Sequence, residues 1–153
     1  MGLGIQVILV LCEGNHCRSP MAEALLRDAL DPAVSVRSAG LRAMTGHPPH
    51  PEAQRLLAKA GIDISGYRGR QLTAEMALQA DLILVMDEAQ RSACERLAPS
   101  ARGRVFLLGH WLPKADQQIM DPIRFGPEAH RQAYHHLQRA LQPWLLRLPT
   151  RNP

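Results

Sequence analysis

The chain has 153 residues, of which 46% are hydrophobic and 21% are charged, a size and composition typical of one globular domain rather than a disordered segment. Only 4% of the residues are aromatic, which argues against a stacking platform for single-stranded nucleic acid. The formal charge of +4 favours anionic partners but does not choose among phosphate esters, nucleic acids and membranes.

No apolar run approaches the roughly 20 residues of a membrane span, and the N-terminus lacks the pattern of a signal peptide. The three cysteines, Cys12, Cys17 and Cys94, form an odd set that disfavours a disulfide framework. We therefore predict one domain over residues 1–153, without membrane insertion. A cytoplasmic location is expected, because a reducing compartment suits free thiols.

The N-terminal half begins with a predicted strand over residues 5–11, whose near-continuous apolar run is typical of strands buried on both faces. Ser19-Pro20 then opens a predicted helix, because proline fits the first turn of a helix. The apolar stripe of this helix is formed by Ala22, Leu25, Leu26 and Leu30. The next predicted elements are a short strand over 34–36, a proline-rich loop over 47–51 and a helix over 52–60 that Gly61 ends.

The C-terminal half continues the alternation of strands and helices. In chain order we predict a strand over 82–86, a helix over 88–97, a strand over 105–108, a long loop over 109–127 and a helix over 128–148 that Pro143 bends or interrupts. This alternation implies a parallel α/β sheet with right-handed crossovers. Ligands bind such sheets beyond the carboxyl ends of their strands. The end of the first strand, at Leu11-Cys12, is therefore the predicted ligand site.

Residues 12–20, Cys-Glu-Gly-Asn-His-Cys-Arg-Ser-Pro, lie between that strand and its helix. The N–H groups of a tight loop and the start of a helix favour a bound anion there. Gly14 and Asn15 tolerate the left-handed backbone angles that curl such a loop. Arg18 offers a planar fork for two phosphate oxygens, and the same positive field favours the nucleophilic thiolate of Cys12. A lone cysteine at the end of a buried strand is usually a small core residue, but this surrounding order of residues predicts an oxyanion site.

This segment resembles the signature of the low-molecular-weight protein tyrosine phosphatases, and the resemblance covers nearly the whole chain. Residues 103–111 look most similar to the bacterial branch that works alongside exopolysaccharide tyrosine kinases. The other segments that follow the family order are Ser38-Ala39-Gly40, Gly46 with Pro48 and Pro51, Gly61-Ile62-Asp63, Arg70-Gln71-Leu72, residues 81–87 and Asp121-Pro122.

The resemblance implies a single-domain, doubly wound α/β fold of the flavodoxin-like kind, with four parallel strands in the order 2-1-3-4. It also implies hydrolysis of protein phosphotyrosine through a phosphocysteine intermediate. Cys12 would attack phosphorus, Arg18 would bind the phosphoryl oxygens, and Asp121 would protonate the leaving phenolic oxygen and then activate water. The phosphate would lie against the loop residues Glu13, Gly14, Asn15, His16, Cys17, Arg18 and Ser19.

Three further side chains are implied to support the reaction. Ser19 would donate a hydrogen bond to the sulfur of Cys12, Asn15 would hold the shape of the loop, and Ser38 would support Asn15. No metal ion or cofactor is expected, because Arg18 and backbone dipoles supply the positive charge and the histidines lack compact ligand spacing in the sequence. The implied partner is a tyrosine-phosphorylated protein, such as the C-terminal tail of a bacterial tyrosine kinase, rather than a nucleic acid.

Several positions depart from the better-known family members. Ile123 follows the Asp-Pro pair where an aromatic residue is usual, and Met44 stands at the opposite wall of the predicted substrate slot, so offset ring stacking is lost. Phe125 is the candidate replacement. Tyr67 replaces a histidine that bonds to the Asn15 network in many members, and it either joins that network or lies on the surface of a turn.

Two further assignments have ordinary alternatives. Cys17 is either the partner of Cys12 in a reversible, protective disulfide or a small buried loop residue. An Asp-Pro pair in a loop is usually turn chemistry, and Asp116 and Glu128 are the nearby competitors of Asp121 for the role of the acid. The motif at residues 12–18 favours Asp121.

Three other functions are compatible with such a sheet. Arsenate reduction would need a relay of further cysteines, and Cys94 stands alone in the corresponding region. A phosphotyrosine-binding module would have lost the nucleophile or the acid, whereas Cys12 and Asp121 are both present, although the altered slot keeps this alternative open. A nucleotide-binding flavodoxin-like domain is disfavoured because no Walker or dinucleotide glycine pattern occurs.

Overall fold

The computed structural model describes residues 4–151. Within that range the chain forms a parallel four-stranded sheet in the order β2-β1-β3-β4, as predicted. The strands are β1 (Val7–Cys12), β2 (Ser35–Gly40), β3 (Leu82–Val85) and β4 (Val105–Leu107). The helices are α1 (Arg18–Ala29), α2 (Pro51–Lys59), α3 (Ala74–Gln79), α4 (Glu88–Leu97) and α5 (Pro127–Leu145).

Helices cover both faces of the sheet, and β1 shows why its sequence is apolar throughout. Ile8, Val10 and Cys12 face a core layer that α1, α2 and α5 share. Leu9 and Leu11 face the opposite layer, beneath α3 and α4. Because side chains alternate between the faces of a strand, a strand buried on both sides needs apolar residues at every position.

The order of the strands determines where a crevice opens. From β1 the chain crosses to β2 on one side, whereas β3 leads to β4 on the other. The loops that follow β1 and β3 therefore diverge at the carboxyl edge of the sheet, which is where ligands bind in doubly wound folds. Cys12, the last residue of β1, pairs with Gly40 at the end of β2 and lies at this edge.

The second strand and the helix α3 differ most from the predictions. The second strand was predicted over residues 34–36 but extends over Ser35–Gly40, so Ser38 lies inside β2 rather than after it. The polar residues of this strand break the apolar pattern from which strands are predicted. Pairing with β1 nevertheless continues through all six positions. Helix α3 was not predicted at all. It is only six residues long, with a Thr73 cap and the single buried residue Ala77, which leaves no helical periodicity to detect.

Of the two predicted effects of Pro143 on the last helix, a bend or an interruption, the interruption is wrong, since α5 runs through Pro143 to Leu145. Tertiary packing outweighs the lost backbone hydrogen bond near the end of the helix. Leu141 and Trp144 are buried on either side of the proline, and Trp144 Nε1 donates to the carbonyl oxygen of Leu108 at 2.8 Å. Among residues 4–151, no helix combines the length and apolar character that crossing a membrane requires.

Candidate functional site

The loop between β1 and α1 begins at Cys12 and ends where Cys17 caps the start of α1. Asn15 adopts a φ of 52°, the one positive value of a non-glycine residue among residues 4–151. Left-handed backbone is unfavourable for most side chains, although asparagine tolerates it comparatively well. The loop therefore curls back on itself at Asn15, which is the residue type expected at such a position.

The side chain of Asn15 fixes this curl, because its amide reaches three separate parts of the chain. Nδ2 donates to Ser19 Oγ at 2.7 Å and to Ser38 Oγ at 3.1 Å. Oδ1 accepts hydrogen bonds from the backbone N–H of Arg70 at 2.9 Å and from the hydroxyl of Tyr67. The amide thus ties the loop to α1, to β2 and to the segment before α3.

Residues 41–44 form a strap that lies along the outside of the loop. The N–H groups of Leu41, Arg42 and Met44 donate to the carbonyl oxygens of residues 12, 13 and 14 at 3.1, 2.8 and 2.9 Å. The N–H and C=O of a trans peptide unit point in opposite directions. Because these carbonyls point outwards to the strap, the N–H groups of residues 13–15 point towards the concave side of the loop, where they can bind an anion.

The close fit of the loop against β2 depends on Gly40. A Cβ atom at this position would lie 2.9 Å from both the backbone nitrogen of Asn15 and the carbonyl oxygen of Glu13. Such contacts with backbone atoms are too short for any side chain. The glycine of the Ser38-Ala39-Gly40 segment is therefore needed for the loop to approach the sheet.

Cys12 is 2% exposed, and its Sγ lies 3.0 Å from the hydroxyl oxygen of Ser19. That oxygen already accepts a hydrogen bond from Asn15. The single hydroxyl proton of Ser19 is therefore available to donate to the sulfur. The predicted pairing of Ser19 with Cys12 matches this geometry.

Arg18 is the first residue of α1 and is 2% exposed. Its Nη1 donates to the carbonyl oxygen of Ile119 at 2.7 Å, and its Nη2 lies 3.3 Å from Oδ2 of Asp121. Its Nε has no hydrogen-bond partner among residues 4–151, although it is buried. Buried arginine donors normally have partners, so this unpartnered N–H points to an anion as its natural acceptor.

Asp121 lies on the loop before α5 and contacts Arg18, as the predicted trio of residues requires. Its Oδ1 accepts from the backbone N–H of Ile123 at 3.1 Å, and its side chain is 37% exposed. The competing acids pair elsewhere: Asp116 with Arg139, and Glu128 with a neighbouring arginine of α5. Asp121 is therefore the carboxylate that the fold brings to the loop.

The predicted slot residues lie at the rim of the site. Met44 is the last residue of the strap, and its side chain borders Gly14. Ile123 and Phe125 are exposed on the turn after Asp121. A cavity of about 620 Å³ is lined by Arg18, Asp121 and Met120 among others, but not by the three slot residues. Met120, which the sequence did not single out, is 63% exposed and adds a further apolar surface to the rim.

Glu23 is a second residue that the sequence did not single out. It is buried on α1, accepts from the hydroxyl of Ser38 at 2.6 Å and pairs with Arg27 at 3.1 Å. It also lines a cavity of about 710 Å³, which Tyr67 and Arg27 border and Cys12 does not. The sequence signal for its role was the position of an acidic residue between Ala22 and Ala24 on the buried face of a predicted helix.

Tyr67 joins the network rather than lying free on the surface. Its hydroxyl bonds to Asn15 Oδ1 and lies 2.8 Å from Ser38 Oγ. Burial raises the pKa of Tyr67, so the phenol stays protonated and can donate to Asn15 at neutral pH. Of the two alternatives for this residue, the structure favours the network role.

Replacing Tyr67 with phenylalanine is expected to lower the free energy of unfolding by about 1–2 kcal/mol, since a buried amide oxygen loses a partner. Catalytic turnover should fall by less than about 10-fold, because Arg70 still holds Asn15. Urea unfolding and steady-state rates would measure both quantities. Tyr134→Phe is the matched control, because that hydroxyl only accepts a long hydrogen bond of 3.4 Å from Gln138. Equal losses of stability in both variants would contradict the network role.

The two other cysteines differ from Cys12 in their surroundings. Burial raises the pKa of Cys17 to about 12, with the nearby Cys12 adding to the effect, so Cys17 is a thiol at neutral pH. A thiol exchanges with disulfides slowly, and the protective disulfide stays a prediction. Cys94 is fully buried beneath the opposite face of the sheet, where burial raises its pKa to about 11. It is remote from the loop, which further disfavours a relay of cysteines for arsenate.

Comparison with known proteins agrees with this site. Residues 7–152 match the family model described as low molecular weight phosphotyrosine protein phosphatase. The low molecular weight protein-tyrosine-phosphatase Etp of Escherichia coli K12 is 43% identical, over 92% of this chain and 93% of Etp.

Two solved structures are also similar. The tyrosine phosphatase Wzb from Escherichia coli K30, in complex with sulphate, is 40% identical with a TM-score of 0.87, over 94% of this chain and 98% of that one. Wzb of Vibrio vulnificus, in complex with benzylphosphonate, is 37% identical with a TM-score of 0.87, over 95% and 100% of the two chains.

Proposed function

Since the chain belongs to the low molecular weight phosphotyrosine protein phosphatase family and is a protein-tyrosine-phosphatase, we propose that it acts through a phosphocysteine intermediate on Cys12. The observation that carries this proposal is the convergence of Cys12, Arg18 and Asp121 on the loop between β1 and α1. Cys12 lies against Ser19 at 3.0 Å, and Arg18 lies against Asp121 at 3.3 Å. The proposed unit is a single phosphatase domain over residues 1–153.

In the first step, the thiolate of Cys12 attacks phosphorus while the bond from phosphorus to the phenolic oxygen breaks. Asp121 gives its proton to that oxygen, so that tyrosine leaves as the neutral phenol. Arg18 and the N–H groups of residues 13–19 bind the equatorial oxygens, where charge spreads in the transition state. The Nε of Arg18 supports this role, because it is a buried donor that has no acceptor within residues 4–151.

In the second step, water attacks the phosphocysteine, and the bond between phosphorus and sulfur breaks. Asp121, now a carboxylate, takes a proton from that water. Ser19 donates a hydrogen bond to the departing sulfur and makes it a better leaving group. The products are inorganic phosphate and the free thiolate, so the cycle needs no external electron source, and the positive charge that it uses comes from Arg18 and the backbone.

The depth of Cys12 supports selectivity for phosphotyrosine. Because Cys12 is almost fully buried, a phosphoryl group can reach its sulfur only on a side chain that is long and narrow. The phenyl ring of phosphotyrosine meets this requirement, whereas the short side chain of phosphoserine does not. The ring would lie between Met44 and Ile123, with Phe125 close to the rim. The benzylphosphonate complex of the Vibrio vulnificus relative, which joins a phenyl ring to a phosphonate, is consistent with such a slot.

The proposed natural substrate is the tyrosine-phosphorylated tail of a bacterial kinase that controls exopolysaccharide production, in the cytoplasm. This rests on the similarity of residues 103–111 to that branch of the family and on the match to Etp and Wzb. Failure to dephosphorylate such a tail, alongside normal turnover of short phosphotyrosine peptides, would exclude this partner but leave the reaction standing.

The reaction is tested by phosphate release from matched phosphotyrosine and phosphoserine peptides, with a thiol reductant and a metal chelator present. Turnover of the tyrosine peptide alone is expected. Rapid quenching should also trap radiolabelled phosphate on the protein in an acid-stable, alkali-sensitive form that is absent from the Cys12→Ser variant. Folded protein that binds the phosphotyrosine peptide without releasing phosphate would instead indicate a binding module.

Asp121→Asn is expected to slow turnover of phenyl phosphate by about 10²–10⁴-fold, because the phenolate then leaves without a proton. The loss should be much smaller for p-nitrophenyl phosphate, whose leaving group is stable as an anion. Steady-state rates on both substrates, with inhibition by inorganic phosphate as a check on oxyanion binding, measure this difference. Asp116→Asn is the control, since that carboxylate pairs with Arg139. An equal loss on both substrates would argue against proton donation by Asp121.

A further inference from the structure

A cluster of side chains that can bind a metal ion lies beside the loop between β1 and α1, which we call the phosphate loop. The proposed reaction does not use this cluster. Cys17, His50 and His130 each offer one ligand atom, and these atoms lie within 4.8 Å of one another. Cys17 caps α1, His50 caps α2, and His130 lies in the first turns of α5. No sequence pattern indicates this cluster, because its members are far apart along the chain and only the packing of three helix starts brings them together.

His130 is the observation that points to a ligand. It is 1% exposed, and neither of its ring nitrogens has a hydrogen-bond partner among the described residues. Neutral imidazole carries one donor and one acceptor, and both are normally satisfied when buried. Cys17 is also buried, at 3% exposed, and His50 is half-buried. The cluster thus brings two buried side chains and one half-buried side chain together, with nitrogen and sulfur as its ligand atoms.

We propose that Cys17, His50 and His130 bind a zinc ion. Binding releases the proton of the Cys17 thiol to solvent and so provides one thiolate and two imidazoles. This ligand set suits zinc, whereas magnesium and calcium need oxygen ligands. The carboxylates of the site are not members of the cluster. Three protein ligands leave the fourth tetrahedral position to water, as in other three-ligand zinc sites.

Binding requires a small rearrangement of the rings. Tetrahedral zinc, with bonds of about 2.0–2.3 Å, places its ligand atoms about 3.3–3.6 Å apart, roughly 1 Å closer than the widest spacing in the cluster. His50 and His130 are stacked, with ring centroids 4.3 Å apart and planes inclined by 25°. A metal bound by both must lie in both ring planes, so one ring has to turn.

The position of His50 also limits the affinity. Its Nδ1 accepts a hydrogen bond from the backbone N–H of Glu52 at 3.0 Å and so caps α2. Zinc must compete with this cap, and binding should therefore be weaker than in a preorganised structural zinc site. Such weak binding suits a zinc ion that binds reversibly and inhibits turnover, rather than a permanently bound structural ion.

A zinc ion on Cys17 would restrain the phosphate loop, because Cys17 and its neighbours belong to that loop. Cys17 precedes Arg18, and the carbonyl oxygen of His16 already accepts from the N–H of His50 at 2.9 Å. Zinc at Cys17 would join this loop to the starts of α2 and α5. Because a loop that binds a transition state must keep its geometry within a fraction of an ångström, the bound ion should lower turnover without touching Cys12.

Cobalt(II) is the spectroscopic probe, titrated into the reduced, metal-free protein. We expect visible d–d bands of a tetrahedral site, a near-ultraviolet thiolate-to-cobalt band, and loss of both on addition of one equivalent of zinc chloride. Cys17→Ser should abolish the thiolate band, whereas Cys12→Ser and Cys94→Ser should retain it. A band that disappears in Cys12→Ser and persists in Cys17→Ser would place the metal on the nucleophile and overturn the proposal, as would the absence of any band in the wild-type protein.

The histidine is tested with a variant that can keep the packing. His130→Phe retains a ring to stack on His50 but removes both nitrogens, and its thermal unfolding reports whether the fold is intact. Cobalt and zinc affinity should fall at least about 10-fold, the loss of one ligand bond. Unchanged affinity in a folded His130→Phe protein would overturn the assignment. This binding test does not depend on the proposed reaction, so each can fail without the other.

Discussion

Replacing Cys12 with serine is expected to lower turnover of a phosphotyrosine peptide by at least about 10⁴-fold. The hydroxyl is nearly the same size as the thiol, so the loop and its contacts should survive. At neutral pH, however, a serine hydroxyl is hardly ionised, and the serine alkoxide is a far poorer leaving group than a thiolate in the second step. The loss should therefore appear in kcat, whereas the affinity for phosphate should be close to that of the wild type.

Two measurements separate these effects. Single-turnover rates with a phosphotyrosine peptide report the chemistry, and the rise of Tm with inorganic phosphate reports binding, which depends on Arg18 and the backbone. Cys94→Ser is the matched control, since that thiol is buried beneath the other face of the sheet. Retention of more than about 1% of wild-type turnover by Cys12→Ser, which is a loss of less than 10²-fold, would contradict nucleophilic catalysis by this residue.

Arg18→Lys is expected to cost about 10³-fold in kcat, even though the charge is kept. The guanidinium already uses Nη1 for the carbonyl oxygen of Ile119 and Nη2 for Asp121, and its Nε remains for the ligand. The three N–H donors of a lysine ammonium start from one nitrogen atom and cannot reach the separate positions of Nη1, Nη2 and Nε. The variant should bind phosphate weakly, so KM should rise while kcat falls.

Steady-state kinetics and the same Tm series with phosphate measure the two effects of Arg18→Lys. Arg55→Lys on α2 is the control, because that side chain is exposed and pairs only with Glu52 of its own helix. If Arg18→Lys kept kcat within about 10-fold, a simple charge would suffice, and the planar fork would not be the feature that stabilises the transition state.

The sequence predicted well those parts of the molecule whose structure depends on residues that are adjacent in the chain. The apolar run of β1, the loop residues Gly14 and Asn15 and the start of α1 follow one another without interruption, so strand, turn and helix signals reinforce each other. The strand order and Asp121 came instead from the family resemblance, since nothing local in an Asp-Pro pair distinguishes an acid from a turn.

The rest depends on contacts between distant segments. Ser38 was assigned its role but placed outside β2, because its strand is polar enough to lack alternation and is specified by pairing with β1. The burial of Glu23 and the hydroxyl contacts of Tyr67 arise only when α1, β2 and the turn before α3 come together. His50 and His130 were missed for the same reason, since no spacing rule links residues of two different helices.

The contact between Arg18 and Ile119 joins residues 101 positions apart, and Tyr67 lies 52 positions from Asn15. Contacts of such long range form late in folding, because the chain must first close large loops. During refolding, helical signal should therefore recover before catalytic activity does. If Cys12 and Asp121 act as proposed, a nascent chain that ends before residue 119 holds the proposed nucleophile but lacks both the proposed acid and the carbonyl oxygen that orients Arg18. We therefore expect such an incomplete chain to be inactive.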